Sequence, residues 1–279
     1  MSDPWSPTNY TTHASFVPAL TERVVSLLDV QSQDQILDLG AGDGLLSVAL
    51  ASRCAHVHAT DSSANMVEYT RTRIREGKIA NMTAQVVDAG TQLRELIEPG
   101  KYNKVFSNAA YHWIFGSLQT AAARQQAFKD VYDVLPTGGE FVVEFGSFGN
   151  VAEIMVALSA AVHNVWLKRG VNLTYEEIQA TRSPWYFAPL DEVKEWLEKA
   201  GFEVVVIEQQ FRPTTLTGEN GIDGWIETFG FTFWKDLDEA EIKAAIAEGV
   251  SLLKPAVWSD YSKTWVVNYV RGRFKAIKK

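Results

Sequence analysis

Three carboxylates, Asp38, Asp43 and Asp61, stand among glycines in a spacing that could hold a nucleoside. The run Gln35-Ile36-Leu37-Asp38-Leu39-Gly40-Ala41-Gly42-Asp43-Gly44 leads through an apolar stretch to Val57-His58-Ala59-Thr60-Asp61. Gly40 and Gly42 permit backbone angles that other residues avoid, and they let a ligand approach the main chain. Gly44 is expected to let the next helix sit close to its strand. Asp61 falls about twenty residues after the turn, where a carboxylate can accept both hydroxyls of a ribose. The spacing departs from the dinucleotide fingerprint Gly-x-Gly-x-x-Gly, with one residue fewer before the last glycine. A pyrophosphate needs bare N–H groups and a helix N-terminus. Acids at Asp38 and Asp43 suit a ligand with a cationic end instead.

The elements that must position these residues follow from periodicity. An apolar strand from Gln35 ends in the glycines, Leu45 to Leu50 has the spacing of a helix on a sheet, and a second strand stops at Asp61. Together they form one nucleotide-binding βαβ unit. Helices are expected over 16–28, 64–76, 89–100 and 119–135. Strands are expected over Thr83–Val87, ending at Asp88; Lys104–Ser107, ending in Asn108-Ala109-Ala110-Tyr111-His112-Trp113; and Glu140–Phe145. Alternating strands and helices imply a parallel sheet with right-handed crossovers, and ligands bind beyond the carboxyl ends of such strands. Asp38, Gly40, Asp61, Asp88 and Asn108 all fall at those ends. Farther on, helices are expected over 151–168, 190–200, 225–234 and 238–253, and strands over 202–210 and 269–277. Ser183-Pro184-Trp185-Tyr186-Phe187-Ala188-Pro189 forms an aromatic loop.

S-adenosylmethionine combines a ribose with an α-ammonium and a sulfonium. At Leu37-Asp38-Leu39-Gly40-Ala41-Gly42-Asp43-Gly44 the chain resembles the class I S-adenosylmethionine-dependent methyltransferases. More narrowly, it resembles the trans-aconitate methyltransferase group and related fungal small-molecule methyltransferases. The matching pieces are Trp5 with Tyr10, the Asn108–Trp113 stretch, and the Pro184-Trp185-Tyr186-Phe187 loop before a helix. The resemblance implies an α/β, doubly wound, seven-stranded and mostly parallel sheet. It is Rossmann-like, of order 3-2-1-4-5-7-6, with an antiparallel last strand and helical cap insertions. It implies one methyltransferase domain over 1–279. Within it lie an N-terminal lid and helix (1–34), a cofactor-binding core (35–147), cap and acceptor segments (148–200 and 213–262) and final strands (201–212 and 263–279). S-adenosyl-L-methionine is the implied cofactor, and S-adenosyl-L-homocysteine its product.

The resemblance also assigns residues. Asp38, Gly40, Ala41, Gly42, Asp43 and Gly44 form the first motif. Asp61 takes the ribose, and Ser62 and Met66 border the adenosine. Asp88 would accept from the adenine amino group and Ala89 would meet the ring; the plainer reading of Asp88 is a helix N-cap. Asn108, Ala109 and Trp113 border the methionine end. Asn108-Ala109-Ala110-Tyr111 invites comparison with the Asn/Asp-Pro-Pro-Tyr/Phe tetrad of amino-group methylases, but both prolines are missing, which speaks against an exocyclic amine.

Candidate acceptor residues are Trp5, Tyr10, Tyr111, Trp185, Tyr186 and Trp225, with Arg212 as a carboxylate clamp by fork geometry. Arg182 is a second possible clamp. His112 is the candidate general base, since an imidazole titrates near neutral pH. A carboxylate acceptor would need no base, because it is already an anion.

Composition narrows the function. The 279 residues are 46% hydrophobic, ample for a packed core, and the net charge is −8. Arg71 to Lys78 holds four basic residues, on one expected helix. A nucleic-acid enzyme normally shows a positive footprint. Cys54 is the single cysteine and can form no internal disulfide. No metal site, signal peptide or apolar run of about 18 residues stands out. The expectation is a cytoplasmic monomer or homodimer that methylates a small molecule, with no nucleic-acid or membrane partner. O-methylation of a carboxylate such as a trans-aconitate-like acid is favoured. The alternatives are C- or N-methylation of a natural-product intermediate, or a relative that binds the cofactor without methylating.

Overall fold

The computed structural model describes Asp3, Trp5, residues 21–216 and residues 221–279. Tyr10 and the expected helix start at 16–20 lie outside the described residues. The strands are β1 (Gln35–Leu39), β2 (His56–Asp61), β3 (Met82–Val86), β4 (Lys104–Asn108), β5 (Glu140–Gly146), β6 (Phe202–Thr215), β7 (Trp258–Ser259) and β8 (Thr264–Lys278). Their order in the sheet is β3-β2-β1-β4-β5-β8-β6, with the two-residue β7 paired to β8 off this path. β1 to β5 pair in parallel, and β8 runs antiparallel to β5. This is the expected doubly wound sheet, with one extra short strand. β1 is buried on both faces (Ile36, Leu37, Asp38, Leu39), as a central parallel strand must be.

Contacts divide the chain into two compact units. The first comprises the described residues of Met1–Phe148, with Phe187–Gln210 and Arg271–Lys279; the second comprises Gly149–Tyr186 and Phe211–Val270. The helix Leu190–Ala200, expected in a cap segment, packs in the first unit against the helix Ala121–Val134.

In the first unit one sheet face packs on Val24, Leu27, Leu28 and Leu50, in a cluster that holds Ile36, Val57, Phe106 and Cys54. The other face is aromatic. Tyr111, Phe115, Phe128, Phe141 and Phe274 meet with ring centroids 5.0–5.9 Å apart. Each such pair adds about 0.5–1.5 kcal/mol beyond burial. At the amino end of the sheet Lys104 is buried between Asp34 (3.1 Å) and Glu140 (3.3 Å), and it donates to the carbonyls of Leu28 and Asp29.

The second unit is mainly helical. The helices Ala152–Lys168 and Glu239–Val257 lie along each other, joined by Asn164 donating to Glu248 and by the Arg169–Glu241 pair. Tyr175–Arg182 is a helix absent from the sequence expectation. Thr174 and Glu177 start it with a reciprocal capping box.

Candidate active site

The glycine turn after β1 is pinned to β2. The N–H groups of Gly40 and Ala41 both donate to the Thr60 carbonyl, at 2.8 and 2.9 Å. Gly40 has φ +72°, and a Cβ there would meet Ala110 Cβ at 2.2 Å. Only glycine lets these two strand ends approach so closely. Gly44 serves a different contact from the one expected: a Cβ there would lie 2.6 Å from Thr70 of the helix Ala64–Glu76.

Beyond these strand ends lies a cleft. Its lining includes Gly40, Gly42, Asp61, Ser62, Met66, Asp88, Ala89, Asn108, Ala109 and Trp113, together with Trp5. The tips of β1, β2, β3 and β4 therefore share one cavity. Asp61 ends β2 with Oδ2 accepting from Gly42 N–H and Oδ1 from Ser63 N–H, both at 2.9 Å. Each oxygen retains a second lone pair for a ligand hydroxyl. Burial raises the Asp61 pKa, against the pull of these N–H bonds. Asp88 follows β3, and its Oδ1 accepts from Gly90 N–H at 2.9 Å, so it does cap its own turn while lining the cleft.

Asn108 ends β4 with a buried Oδ1 that has no hydrogen-bond partner. A buried amide oxygen left this way costs about 1–3 kcal/mol unless a donor reaches it. The next residue, Ala109, is held at φ +59°, a conformation sparsely used by non-glycine residues, with its N–H on the Glu144 carbonyl at 2.8 Å.

These features fit S-adenosylmethionine. Exposed glycine backbone, a carboxylate with spare lone pairs, and an orphaned acceptor at the β4 tip match a ribose and an ammonium in sequence along one cleft. Asp61, Asp88 and Asn108 all line this one cleft.

Other expected residues point elsewhere. Asp38 is buried and accepts from Ser47 Oγ at 2.6 Å; burial pushes its carboxyl up to about 7. Asp43 accepts from Leu45 N–H and pairs with Arg73 at 3.2 Å. Neither acid lines the cleft, nor do Ala41 and Gly44. They build the turn rather than its open surface. Tyr111 belongs to the aromatic core, 1% exposed, and burial raises its phenol pKa.

His112 is 7% exposed, and its Nδ1 accepts from Gly146 N–H at 3.1 Å. Burial first and the Arg271 charge second push its pKa well below the ordinary value. A neutral imidazole accepting at Nδ1 carries its proton on Nε2. With Nδ1 accepting and Nε2 protonated, His112 has no free nitrogen to act as the expected base.

Trp5 stands edge-on to Trp113 at 4.9 Å, and Asp3 accepts from Ser63 Oγ and Asn65 N–H. In the second unit Trp185 packs against Trp225 and Phe233, and Trp225 Nε1 donates to Tyr269 Oη at 2.6 Å. Tyr186 and Arg212 are half-buried there. Arg182 donates to the carbonyls of Phe233 and Lys235 and lies over Trp166. These contacts tie it into the fold rather than leave it as a clamp.

The cleft has lining residues that sequence reasoning did not single out: Ala110, Ile114 and Ser117. With Trp113 they occupy positions i, i+3, i+4 and i+7 across the helix Tyr111–Ser117 and its N-cap. That spacing was the available signal.

A model of the methyltransferase domain family matches residues 31–207. An uncharacterised methyltransferase of Schizosaccharomyces pombe is 35% identical over 99% of this chain and 98% of its own length. A trans-aconitate 2-methyltransferase of Rhodococcus jostii is 26% identical over 80% of this chain and 78% of its own. Among solved structures, the YcgJ protein from Bacillus subtilis superposes with a TM-score of 0.62 at 14% identity. That match covers 96% of this chain and 99% of YcgJ, and shows the shared fold.

Proposed function

This chain belongs to the class I S-adenosylmethionine-dependent methyltransferases, and on that premise we propose that it methylates a carboxylate oxygen of a small organic acid. The cofactor, when bound, supplies a methyl group on a sulfonium, a good leaving group. What the chain must add is orientation and dryness.

The observation that carries this reading is the state of His112. Its Nδ1 is committed to Gly146, and its pKa lies far below neutrality. Tyr111 is sealed in the aromatic core. Among the described residues at the methionine end of the cleft, no group is poised to take a proton. An acceptor suited to this site arrives already anionic, and a carboxylate does so at neutral pH. Nε2–H of His112 is the donor we assign to that anion. The small-molecule acceptor of the Rhodococcus relative supports the same substrate class.

The assigned cofactor contacts are Asp61 to the ribose, Asp88 and Ala89 to the adenine, and Asn108 to the α-ammonium. Ser62 and Met66 flank the nucleoside. Trp5 and Trp113, in edge contact, exclude water from the methionine end. N-methylation is disfavoured because Tyr111 points into the core, so the Asn108–Tyr111 stretch offers no ring to stack on a planar amine.

The test uses cofactor labelled in the methyl group, with a panel of small mono-, di- and tricarboxylic acids. The expected product releases its label as methanol in mild alkali, as an ester does. Label that survives alkali moves the reading to N- or C-methylation. Tight binding of S-adenosylhomocysteine with transfer to no acid overturns it.

A further inference from the structure

Three buried charges sit at the carboxyl end of β5, outside the motifs that pointed to the cofactor. Glu144, Arg271 and Arg273 are 1%, 4% and 3% exposed. Glu144 accepts from the Nε of both arginines, at 3.1 Å from Arg271 and at close range from Arg273. Arg273 has further partners: it donates to Gln210 Oε1 at 2.7 Å and approaches Glu208 at 3.7 Å. Glu208 is in turn gripped by Arg23, which is half exposed.

In this network, among the described residues, two carboxylates face three guanidiniums. The surplus charge falls on Arg271. Only its Nε is used; Nη1 and Nη2 donate to no described residue. A buried guanidinium with four of its five N–H donors idle is costly unless something anionic completes it.

Its position says what that something is. Arg271 pairs with Gly146 across β5 and β8, and Gly146 is the residue whose N–H orients His112. The Arg271 charge reaches the imidazole and helps hold it neutral. On the other side Glu144 pairs with Asn108, a cleft-lining residue whose buried Oδ1 has no hydrogen-bond partner. Arg271 therefore stands two strands beyond the β4 tip, paired with the residue whose N–H orients the donor assigned to the acceptor.

We propose that Arg271 is the anion receptor of the acceptor site, holding a carboxylate of the substrate through its two unused Nη groups. The inference rests on the carboxylate reading of the acceptor, and it adds the residue that selects for it. The planar fork matches a carboxylate in two parallel hydrogen bonds, which an ammonium cannot reproduce.

The test is a binding measurement on the whole protein saturated with S-adenosylhomocysteine, which has no methyl to transfer. Trans-aconitate and its uncharged trimethyl ester are titrated calorimetrically into wild type, Arg271→Gln and Arg271→Lys. Expected are binding of the acid to wild type, and roughly tenfold or greater weakening with the ester or with either variant. Affinity for S-adenosylhomocysteine stays unchanged throughout. Glu144 keeps Arg273 in both variants, and if Arg271→Gln fails to fold, the lysine variant decides alone. Equal affinity of the acid for wild type and the lysine variant overturns the proposal. So does no binding to wild type. A loss of S-adenosylhomocysteine affinity overturns it too, since Arg271 would then serve the cofactor's own carboxylate. Transfer failing while the Arg271 effect holds would defeat only the reaction reading.

Discussion

Replacing Gly40 by alanine should break the junction between β1 and β4, and the structure sets the size of the effect. The new Cβ would lie 2.2 Å from Ala110 Cβ. Carbon atoms in contact sit about 3.5–4.0 Å apart, so the two backbones must separate by more than about 1 Å. Overpacking of this kind costs about 1–3 kcal/mol. The φ of +72° adds about 1–2 kcal/mol for any residue with a Cβ. Gly40→Ala is therefore expected to lose about 2–5 kcal/mol in urea unfolding followed by tryptophan fluorescence, and to weaken S-adenosylhomocysteine. Adding Ala110→Gly removes the clashing atom. The next neighbour, Ala110 Cα, lies at an ordinary 3.7 Å. The double variant should keep only the dihedral penalty, about 1–2 kcal/mol, and regain most of the affinity. If it is no more stable than Gly40→Ala, the close approach is not why glycine stands there.

Asp61→Ala should weaken S-adenosylhomocysteine by about 1.5–3 kcal/mol, the worth of hydrogen bonds to a charged group; unchanged calorimetric affinity removes Asp61 from the site. Asp38, with its carboxyl near 7 when folded, should make stability fall as pH rises from about 4 to 7, because the unfolded chain releases a proton that the folded one keeps. Asp38→Asn should flatten that slope in melting curves taken across the window, and parallel slopes in both proteins would refute the burial argument. The rate of transfer should show no inflection between pH 6 and 9 that vanishes in His112→Ala; such an inflection would restore the imidazole as a base.

The convergence of the strand tips on one cleft was legible because its determinants are local. Gly40, Gly42 and Asp61 lie within one βαβ unit, and strand ends can be read from apolar runs that stop at Asp or Asn. The sheet order was implied by the resemblance to the class I methyltransferases, and the strands fall in that order. What escaped reading depends on partners far along the chain. His112 looks like a base until Gly146, reached only through β5, claims its Nδ1. Arg271 and Arg273 read as polar alternation in a last strand, and Glu144 is what buries them. Asp38 and Asp43 look like ligands from spacing, but Ser47 and Arg73 occupy them. The strand expected over 202–210 runs on to Thr215 and takes in Pro213. It lies at the sheet edge, where a missing N–H is tolerated. The capping signature Thr174-x-x-Glu177 was readable and passed over.

The packing of Cys54 has a practical use. The thiol lies in the layer beneath β1 and β2, 8% exposed, and burial raises its pKa. It is also the sole cysteine. A thiol reagent can therefore reach it only when that layer opens, and each labelled molecule records one such opening. The strand that ends at Asp61 is thus wired to a native reporter, and slower labelling with the nucleoside bound would measure how firmly ligand and sheet hold one another.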